Sequence, residues 1–466
     1  MGLKLQYLPF LVLLSACALG PDYHKADAGA LGVPTQFGSF SSAAQGADLS
    51  RWWGQWNDPV LTSLITQALD ANTDLKIALS RVRQAQASRV ASVGAQLPQI
   101  GVQASASSGG SASQTQDSYR GSASVTWDTD LFGGQRRAAE AAQADVDAAQ
   151  AGLANTQVEL VAAVAQGYLD FRLSDRRLDI ARRNLASQRE TLQSITWRAQ
   201  AGEASQLELA QAQTVTAQTA AQLPALEGSR VAALGQLALL LGTQINQVEP
   251  LVKPASAPSV PADLLIGIPA QILAQRPDVQ QAERQLAAAT ARIGQAQADR
   301  YPGLTLSGTI GLEALNIPDI LSGATIARTL AGVLAATIFD GGQLKAQVDI
   351  RTEEQQQAWF TYQQAITTAL EQVETAQVAY VRQRERVRSL AEAAQAATRA
   401  QILARAQYQS GMVDYLTLME ADRTRLSAED ALAQAQSSEL SNLVDLYKAL
   451  GGGWDHQASA QESKHE

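Results

Sequence analysis

Histidine, cysteine and aromatic residues are all scarce in this chain of 466 residues, and each shortage closes off a class of function. The three histidines, His24, His456 and His465, lie in the two terminal stretches, so no metal cluster or nucleophile–base constellation is legible. Cys17 is the single cysteine, which excludes an intrachain disulfide. Aromatics make up 5% of the chain, too few for the thick apolar centre of an ordinary globule of this size. No basic run occurs and the formal net charge is -9, so nucleic acid is not an expected partner. After residue 17 no stretch of ~20 apolar residues is present. The richest window, Ala232 to Leu241, is short and interrupted by Gln236. Any membrane-crossing part must therefore be β-strands in a closed barrel. The expectation is a protein without enzymatic activity, metal or cofactor.

What the chain has is a duplication. Asp74 recurs as Asp278, Leu97-Pro98 as Tyr301-Pro302, and Phe132-Gly133-Gly134-Gln135 as Asp340-Gly341-Gly342-Gln343. Gly202 with Leu207, Leu209 and Ala212 returns as Gly411 with Leu416, Leu418 and Ala421. The offset grows only from 204 (278 − 74) through 208 (340 − 132) to 209 (411 − 202), so the copies differ by a few small insertions. Turns kept in register over such a length imply two equivalent lobes. Abundant Ala and Gln favour long helices that approach closely through small side chains.

The first 16 residues read as a signal segment: Lys4 supplies positive charge, and Leu8 to Leu14 form an apolar centre. Leu14-Ser15-Ala16-Cys17 resembles a bacterial lipobox, which makes Cys17 the expected site of a covalent N-terminal lipid. Ala18, rather than Asp, follows it, and by resemblance to sorted lipoproteins this points to the outer membrane.

Residues 17–58 form an arm without periodicity that ends in Trp52, Trp53 and Trp56, expected to dock on the body. The first repeat spans 59–245. It opens with a helical pattern from Pro59 to Gln96, broken at Pro98, followed by alternating strands at about 99–107 and 119–128 on either side of a polar loop. Each strand is about ten residues, the length a tilted strand needs to cross a bilayer. A helix of about 65 residues, Gln135 to Gln200, comes next and would be roughly 100 Å long. Its seam carries Val146, Leu153, Leu160, Gly167, Ser174, Ala181, Gln188 and Ile195, and the companion position starts polar with Gln150 and Gln157, then turns apolar through Val164, Phe171, Leu178, Leu185 and Leu192. Gly202 ends it, and Ser205 caps a return helix to about Leu241. A proline-rich linker, 246–268, leads to the second repeat, 269–452, with strands at about 303–312 and 328–338 and a second long helix. A polar tail covers 453–466.

Four bilayer-length strands cannot close a barrel, and an open edge in lipid is forbidden, so the barrel must be shared between subunits. A dimer would supply eight strands with a filled interior, and a trimer twelve with room for water. The fold class expected is mainly α, internally duplicated, with long α-helical hairpins forming an α-barrel plus four β-strands per chain contributed to a shared transmembrane β-barrel.

Several stretches carry a family resemblance: the lipobox followed by Gly20-Pro21-Asp22-Tyr23, Trp52-Trp53 before Asp58-Pro59, Gln275-Arg276-Pro277-Asp278-Val279, Phe339-Asp340-Gly341-Gly342, and Gly411-Met412-Val413-Asp414-Tyr415-Leu416. Together they make the chain similar, over essentially its whole mature length, to TolC/OprM-like outer membrane factors, in their NodT-type lipoprotein branch. The resemblance implies a homotrimer with a twelve-stranded barrel in the outer membrane and a twelve-helix periplasmic tunnel. It also implies a periplasmic adaptor and a proton-driven inner-membrane transporter of the RND type as partners, with drug-like amphiphiles as cargo. Two rivals are a channel of the same architecture serving protein secretion, and a coiled-coil lipoprotein spacer without a pore.

By the same resemblance the turns at Gly202 and Gly411 are periplasmic tips. Arg198, Gly202, Ser205, Leu207 and Leu209 match the docking pattern in the first copy, and Gly411, Leu416 and Leu418 in the second. Asp414 corresponds to an acidic ring at the closed entrance, which would attract cations and repel anions. A helix N-cap explains Asp414 equally well as a structural residue, and hairpin packing does the same for the leucines. In the strands, Arg120 and Asp128 share the polar side and are expected in the barrel lumen, and Arg328 at a strand end.

Overall fold

The computed structural model describes residues 18–27, 29, 31, 33, 49–111, 114–252, 273–315 and 326–455. The signal segment and Cys17, most of the linker and most of the tail lie outside the described residues.

The first repeat comprises α1 (Pro59–Ala71), α2 (Thr73–Gly94), β1 (Gln99–Ser111), β2 (Gln114–Thr129), α3 (Gly134–Gln200), α4 (Gln206–Leu240) and the short α5 (Ile245–Leu251). The second comprises α6 (Pro277–Ala298), β3 (Gly303–Ala314), β4 (Ile326–Ala335), α7 (Gln343–Gln409) and α8 (Tyr415–Ala449). Two compact units result: residues 1–31, 78–153 and 278–366 form one, and 32–77, 154–277 and 367–466 the other.

The first unit holds an antiparallel sheet in the order β1-β2-β3-β4. Its register puts Ile100, Val102, Tyr119, Ala123, Val125, Trp127, Leu304, Leu306, Ile310 and Leu330 on one face. Gln103, Ser105, Arg120, Ser122, Ser124, Thr305, Ser307 and Thr309 share the other, so the period-2 pattern sorts cleanly across β1, β2 and β3, whereas the less clearly alternating β4 puts Ala327, Ala331 and Val333 on the polar face and Arg328 on the apolar one. The polar stretch 108–118, read from sequence as a loop, is mostly strand: β1 runs to Ser111 and β2 starts at Gln114. Its Gly, Ser and Gln residues carry no alternation, yet their backbone groups pair as well as any others. In the second repeat β4 begins at Ile326 and stops at Ala335, so residues 336–338, expected as strand, are not.

Each strand pair hands over to a long helix through the same device. Asp130 accepts from the Gln135 and Arg136 amides at 3.0 and 2.9 Å, and Asp340 accepts from the Gly342 and Leu344 amides at 2.8 and 2.7 Å. The orphan N–H groups of α3 and α7 are thereby satisfied by a carboxylate that also complements the helix dipole.

The second unit is built around one apolar core. Trp52 and Trp56, each 1% exposed, pack with Tyr447, Leu61, Leu64, Val164, Phe171, Leu237 and Val444. Trp52 stacks on Tyr447 at 4.7 Å between ring centroids. The tryptophan end of the arm is thus a packing element. Asp58, 3% exposed, caps α1 by accepting from Val60 and Leu61 and also takes the Tyr168 hydroxyl at 2.8 Å. The pattern from Pro59 to Gln96 divides into two helices at Asn72. There the side-chain oxygen accepts from the amides of Asp74 and Leu75, and the amide donates to Leu240 O. A side-chain cap of that kind restarts a helix without interrupting the apolar period, so periodicity alone does not reveal it.

Candidate functional site

The tips lie within the second unit and are two versions of one hairpin. In the first, Gly202 adopts φ +76°, and the amides of Glu203 and Ala204 return to Arg198 O at 2.7 and 3.2 Å. In the second, Gly411 adopts φ +73°, and the Met412 amide returns to Gln407 O at 2.9 Å. Both are left-handed helix ends, which glycine supplies without steric cost.

The two restarts place their carboxylate differently. Ser205 closes a reciprocal box with Glu208: the Glu208 amide donates to Ser205 Oγ at 3.1 Å and the Ser205 amide donates to Glu208 Oε2 at 3.0 Å. Asp414 caps α8, with Oδ1 accepting from the Thr417 amide at 2.9 Å and from its hydroxyl at 2.7 Å. Those two bonds hold the Asp414 carboxyl below the usual carboxylate range, so it stays ionised at neutral and mildly acidic pH. The residue is exposed. Asp414 is therefore an N-cap and a surface charge at once.

The leucines of the tip pattern split between two roles. Leu207 and Leu416, 67% and 53% exposed, stand at equivalent places and present apolar surface, joined by Met412 at 70%. Leu418, 1% exposed, and Leu209 pack with Ile195, Ala212, Tyr408 and Tyr415. Both hold the hairpins together; Leu418 offers no surface to a partner, and Leu209 is half-buried. Arg198 lies over the Tyr408 ring at 5.4 Å and ties the first tip to the second repeat. Beside the second tip, Ala397, Ala400, Leu416, Thr417, Glu420, Ala421 and Thr424 line an open groove of about 430 Å³ between α7 and α8.

Behind the tips lies a polar layer that the sequence pattern did not disclose. Asp422, 7% exposed, accepts from Gln401 Nε2 at 2.9 Å, and burial pushes its carboxyl up from the ordinary value. Arg405 of α7 reaches Ser187 and Glu190 of α3, and Arg177 of α3 forks onto Asp430 of α8 at 2.6 and 3.2 Å. Arg177, Ser187 and Glu190 stand off the seam positions of α3, so heptad spacing carried no signal of this layer.

In the first unit Arg120 and Asp128 share the polar sheet face. Arg120 pairs with Glu313, its register partner, at 2.9 Å, and Asp128 accepts from Thr305 Oγ1 at 2.6 Å. Glu313 was not singled out from sequence, although cross-strand pairing made an acid opposite Arg120 the natural complement. Arg328 is the third residue of β4 and stands on the apolar face beside Ile310. Among the described residues no group of His, Cys, Asp and Glu is disposed to hold a metal ion. No single helix among them is long and apolar enough to cross a membrane.

A four-stranded amphipathic sheet feeding two long helical hairpins defines the class as an outer membrane channel subunit. The family model for outer membrane efflux proteins matches residues 64–243 and 268–452, one match for each repeat. Pyoverdine export outer membrane protein OpmQ of Pseudomonas aeruginosa is 33% identical, over 97% of this chain and 99% of its own. Nodulation protein T of Rhizobium leguminosarum bv. trifolii is 30% identical, over 97% of both. The solved outer-membrane channel OprN superimposes with a TM-score of 0.84 at 33% identity, covering 94% of this chain and all of that one. The chain belongs to the outer membrane efflux protein family. It is an outer membrane efflux channel of a Gram-negative bacterium, with a long periplasmic helical extension and a β-barrel that identical copies complete.

Proposed function

We propose that the trimer is the passive exit duct of a tripartite pump. Energy comes from an inner-membrane RND transporter, a periplasmic adaptor docks at the tips, and this chain supplies the path and a charged entrance. The cargo class is small amphiphilic compounds, a choice favoured over protein substrates by the relative named for pyoverdine export. No cofactor takes part beyond a covalent lipid on Cys17, which anchors the arm in the outer membrane. Leu207, Leu416 and Met412 are the exposed contacts an adaptor would cover, and Arg198, Gly202, Ser205, Gly411, Leu209 and Leu418 shape the surface beneath it. Arg120 and Asp128 face the barrel lumen, with Glu313 balancing Arg120.

One comparison carries the gate. Both tips must cap a return helix, and Ser205 does so with a hydroxyl, its box partner Glu208 lying three residues on, so a carboxylate at the capping position itself is not demanded by the fold. Three exposed Asp414 carboxylates around a narrow entrance would concentrate cations and deter anions. The test is conductance of the purified trimer in a planar bilayer. Asp414→Asn keeps a capping acceptor and removes the charge, and Asp414→Ala removes both. Cation preference should fall in both variants, and conductance should rise most in Asp414→Ala. Unchanged selectivity in Asp414→Asn would take this residue out of the gate, and a trimer that conducts nothing would favour the spacer.

A further inference from the structure

The outward side of the sheet carries one charge in its apolar band. On β4, Ile326, Leu330 and Leu334 share a face with Arg328, whose register partner on β3 is Ile310. This is the face of Val102, Ala123 and Trp127, the side that a barrel turns to lipid. Arg328 is exposed, and no ion pair engages it among the described residues.

Its height can be read from the stagger of the strands. The β1–β2 ladder closes at Ser111 and Gln114, the β2–β3 ladder at Tyr119 and Ala314, and the β3–β4 ladder at Leu312 and Ile326. Among the described residues the end of pairing moves inward from Gln114 to Tyr119 on β2 and from Ala314 to Leu312 on β3, the sense in which a tilted barrel wall is sheared. A stagger of about two residues per strand in that sense, as barrel tilt requires, carries Tyr119 to Leu312 and then to Arg328, so the three stand at one level. At the other end of β2, Trp127 lies on the same face. Eight residues separate the two aromatics, about 27 Å of strand and roughly 20 Å along the membrane normal. Trp127 and Tyr119 thus bracket the hydrocarbon band as interfacial girdles do. The helices follow the Trp127 end of the strands, which makes the Tyr119 level the outer leaflet.

Among the described residues no acid stands on this face within reach of that guanidinium, which leaves it open to an anion from the surrounding lipid. The described acid on this face, Asp117, is two residues farther out than Tyr119 and two strands away from Arg328. Glu313 is on the opposite face. The strand of a neighbouring copy that closes against β4 is β1, and its sequence, Gln99 to Ser111, contains no acidic residue. The outer leaflet of such a membrane is built from glycolipids whose sugar headgroup carries phosphates just above the hydrocarbon. A forked guanidinium on a long apolar stem is suited to hold one. We propose that Arg328 is a lipid-binding residue that holds the phosphate of an outer-leaflet glycolipid, one per subunit. The inference rests on the shared barrel and is independent of the gate.

The experiment titrates the delipidated full-length trimer with diphosphorylated lipid A, the same glycolipid stripped of phosphate, and phosphatidylglycerol, with bound lipid read by native mass spectrometry. Up to three diphosphorylated lipid A molecules should bind per trimer. Arg328→Leu and Arg328→Gln should weaken this at least about tenfold, while Arg328→Lys retains part of it. Equal binding of the dephosphorylated glycolipid by the native trimer would overturn the proposal without recourse to any variant. So would undiminished binding by a correctly trimeric Arg328→Leu, or phosphatidylglycerol binding as tightly as lipid A. Conductance should be unaltered in Arg328→Leu, so a failure here and a failure of the Asp414 gate are separately visible.

Discussion

Gly20→Ala should release the N-terminal arm from its seat, and the geometry sets the size of the effect. Gly20 has φ +97°, and a Cβ there would lie 2.3 Å from Gly294 Cα and 2.9 Å from Gly294 N. Both are backbone atoms of α6, so no side-chain rotation relieves the clash. The arm must move by roughly 1 Å to restore ordinary contact. Moving it strains what holds it: the Leu19 amide on Phe132 O at 3.1 Å, Arg137 on Leu19 O at 3.1 Å and on Asp22 at 2.6 Å, and the Tyr23 hydroxyl on Glu283 at 2.7 Å. An L-residue forced into the left-handed region costs about 1–2 kcal/mol before any clash is counted. A total of at least about 2 kcal/mol makes local opening roughly 30-fold more frequent. Hydrogen exchange at the Leu19 amide should quicken by that factor while the Ser122 and Gly311 amides of the sheet stay unchanged. Gly294→Ala should do the same, because its Cβ would meet Leu19 O at 2.6 Å, and the double variant should be less than additive. Gly228→Ala, with nothing within 4 Å, serves as the control. Leu19 exchange within twofold of the native rate in both variants would show that the arm is not seated by this glycine contact.

Other expectations concern the second unit. Asp58→Ala strands the Val60 and Leu61 amides and the buried Tyr168 hydroxyl, and should cost about 3 kcal/mol; Tyr168→Phe should cost about 1 kcal/mol, both read as loss of thermal stability of the trimer. A greater loss from Tyr168→Phe than from Asp58→Ala would refute that assignment. Asp422→Asn keeps an acceptor for Gln401 and removes a desolvated charge. The folded state binds the Asp422 proton more tightly than the unfolded chain does. Its contribution to stability is therefore fully present below the ordinary carboxylate value and lost as pH rises through the raised one. Arg405 and Arg425 face this carboxylate, with Tyr415 nearby, and offset only part of the burial. The variant should melt higher than the native trimer at pH 7.5, with the gap closing toward pH 4; a lower melting point at pH 7.5 would mean that the arginines outweigh burial.

Much of this architecture was legible because its two periodicities are strong. The seam of Val146, Leu160, Ala181 and Ile195 is buried at 4, 6, 3 and 0% exposure, and the alternation through Ile100 to Ala106 and Tyr119 to Trp127 sorts onto one face. What escaped was held together by polar atoms. Asn72 divides a helix whose apolar pattern runs on unbroken, and the Ser/Gly/Gln segment became strand through backbone pairing alone. Cross-repeat partners such as Arg120 with Glu313 and Arg405 with Glu190 sit 193 and 215 residues apart, a separation at which sequence spacing says nothing about contact. At the tips the glycines and caps were visible, but Leu207 and Leu209 are two residues apart on one helix, and only packing tells the exposed one from the half-buried one.

The repeats have kept their lengths more strictly than their chemistry, and that difference separates the structural residues from the functional ones. α3 and α7 are both 67 residues, and α4 and α8 are both 35. One inserted residue would rotate everything beyond it by 100° and advance it by 1.5 Å. The seam around Ile195, Ala212, Ala404, Tyr408 and Leu418 would then lose its facing partners, so length is constrained by packing in both copies. No such constraint acts on the side chain that caps each return helix, because any short acceptor will do. Ser205 and Asp414 are therefore alternatives of equal structural merit that place the carboxylate differently: three residues into the helix, on Glu208, at the first tip, and on the capping residue itself at the second. A carboxylate on the capping residue of one tip only fits an entrance lined by one hairpin of each pair, and it makes Ser205→Asp an informative counterpart to Asp414→Asn. Moving the charge to the first tip should leave the trimer intact yet fail to restore cation preference in the channel. Restored preference would show that both hairpins border the pore.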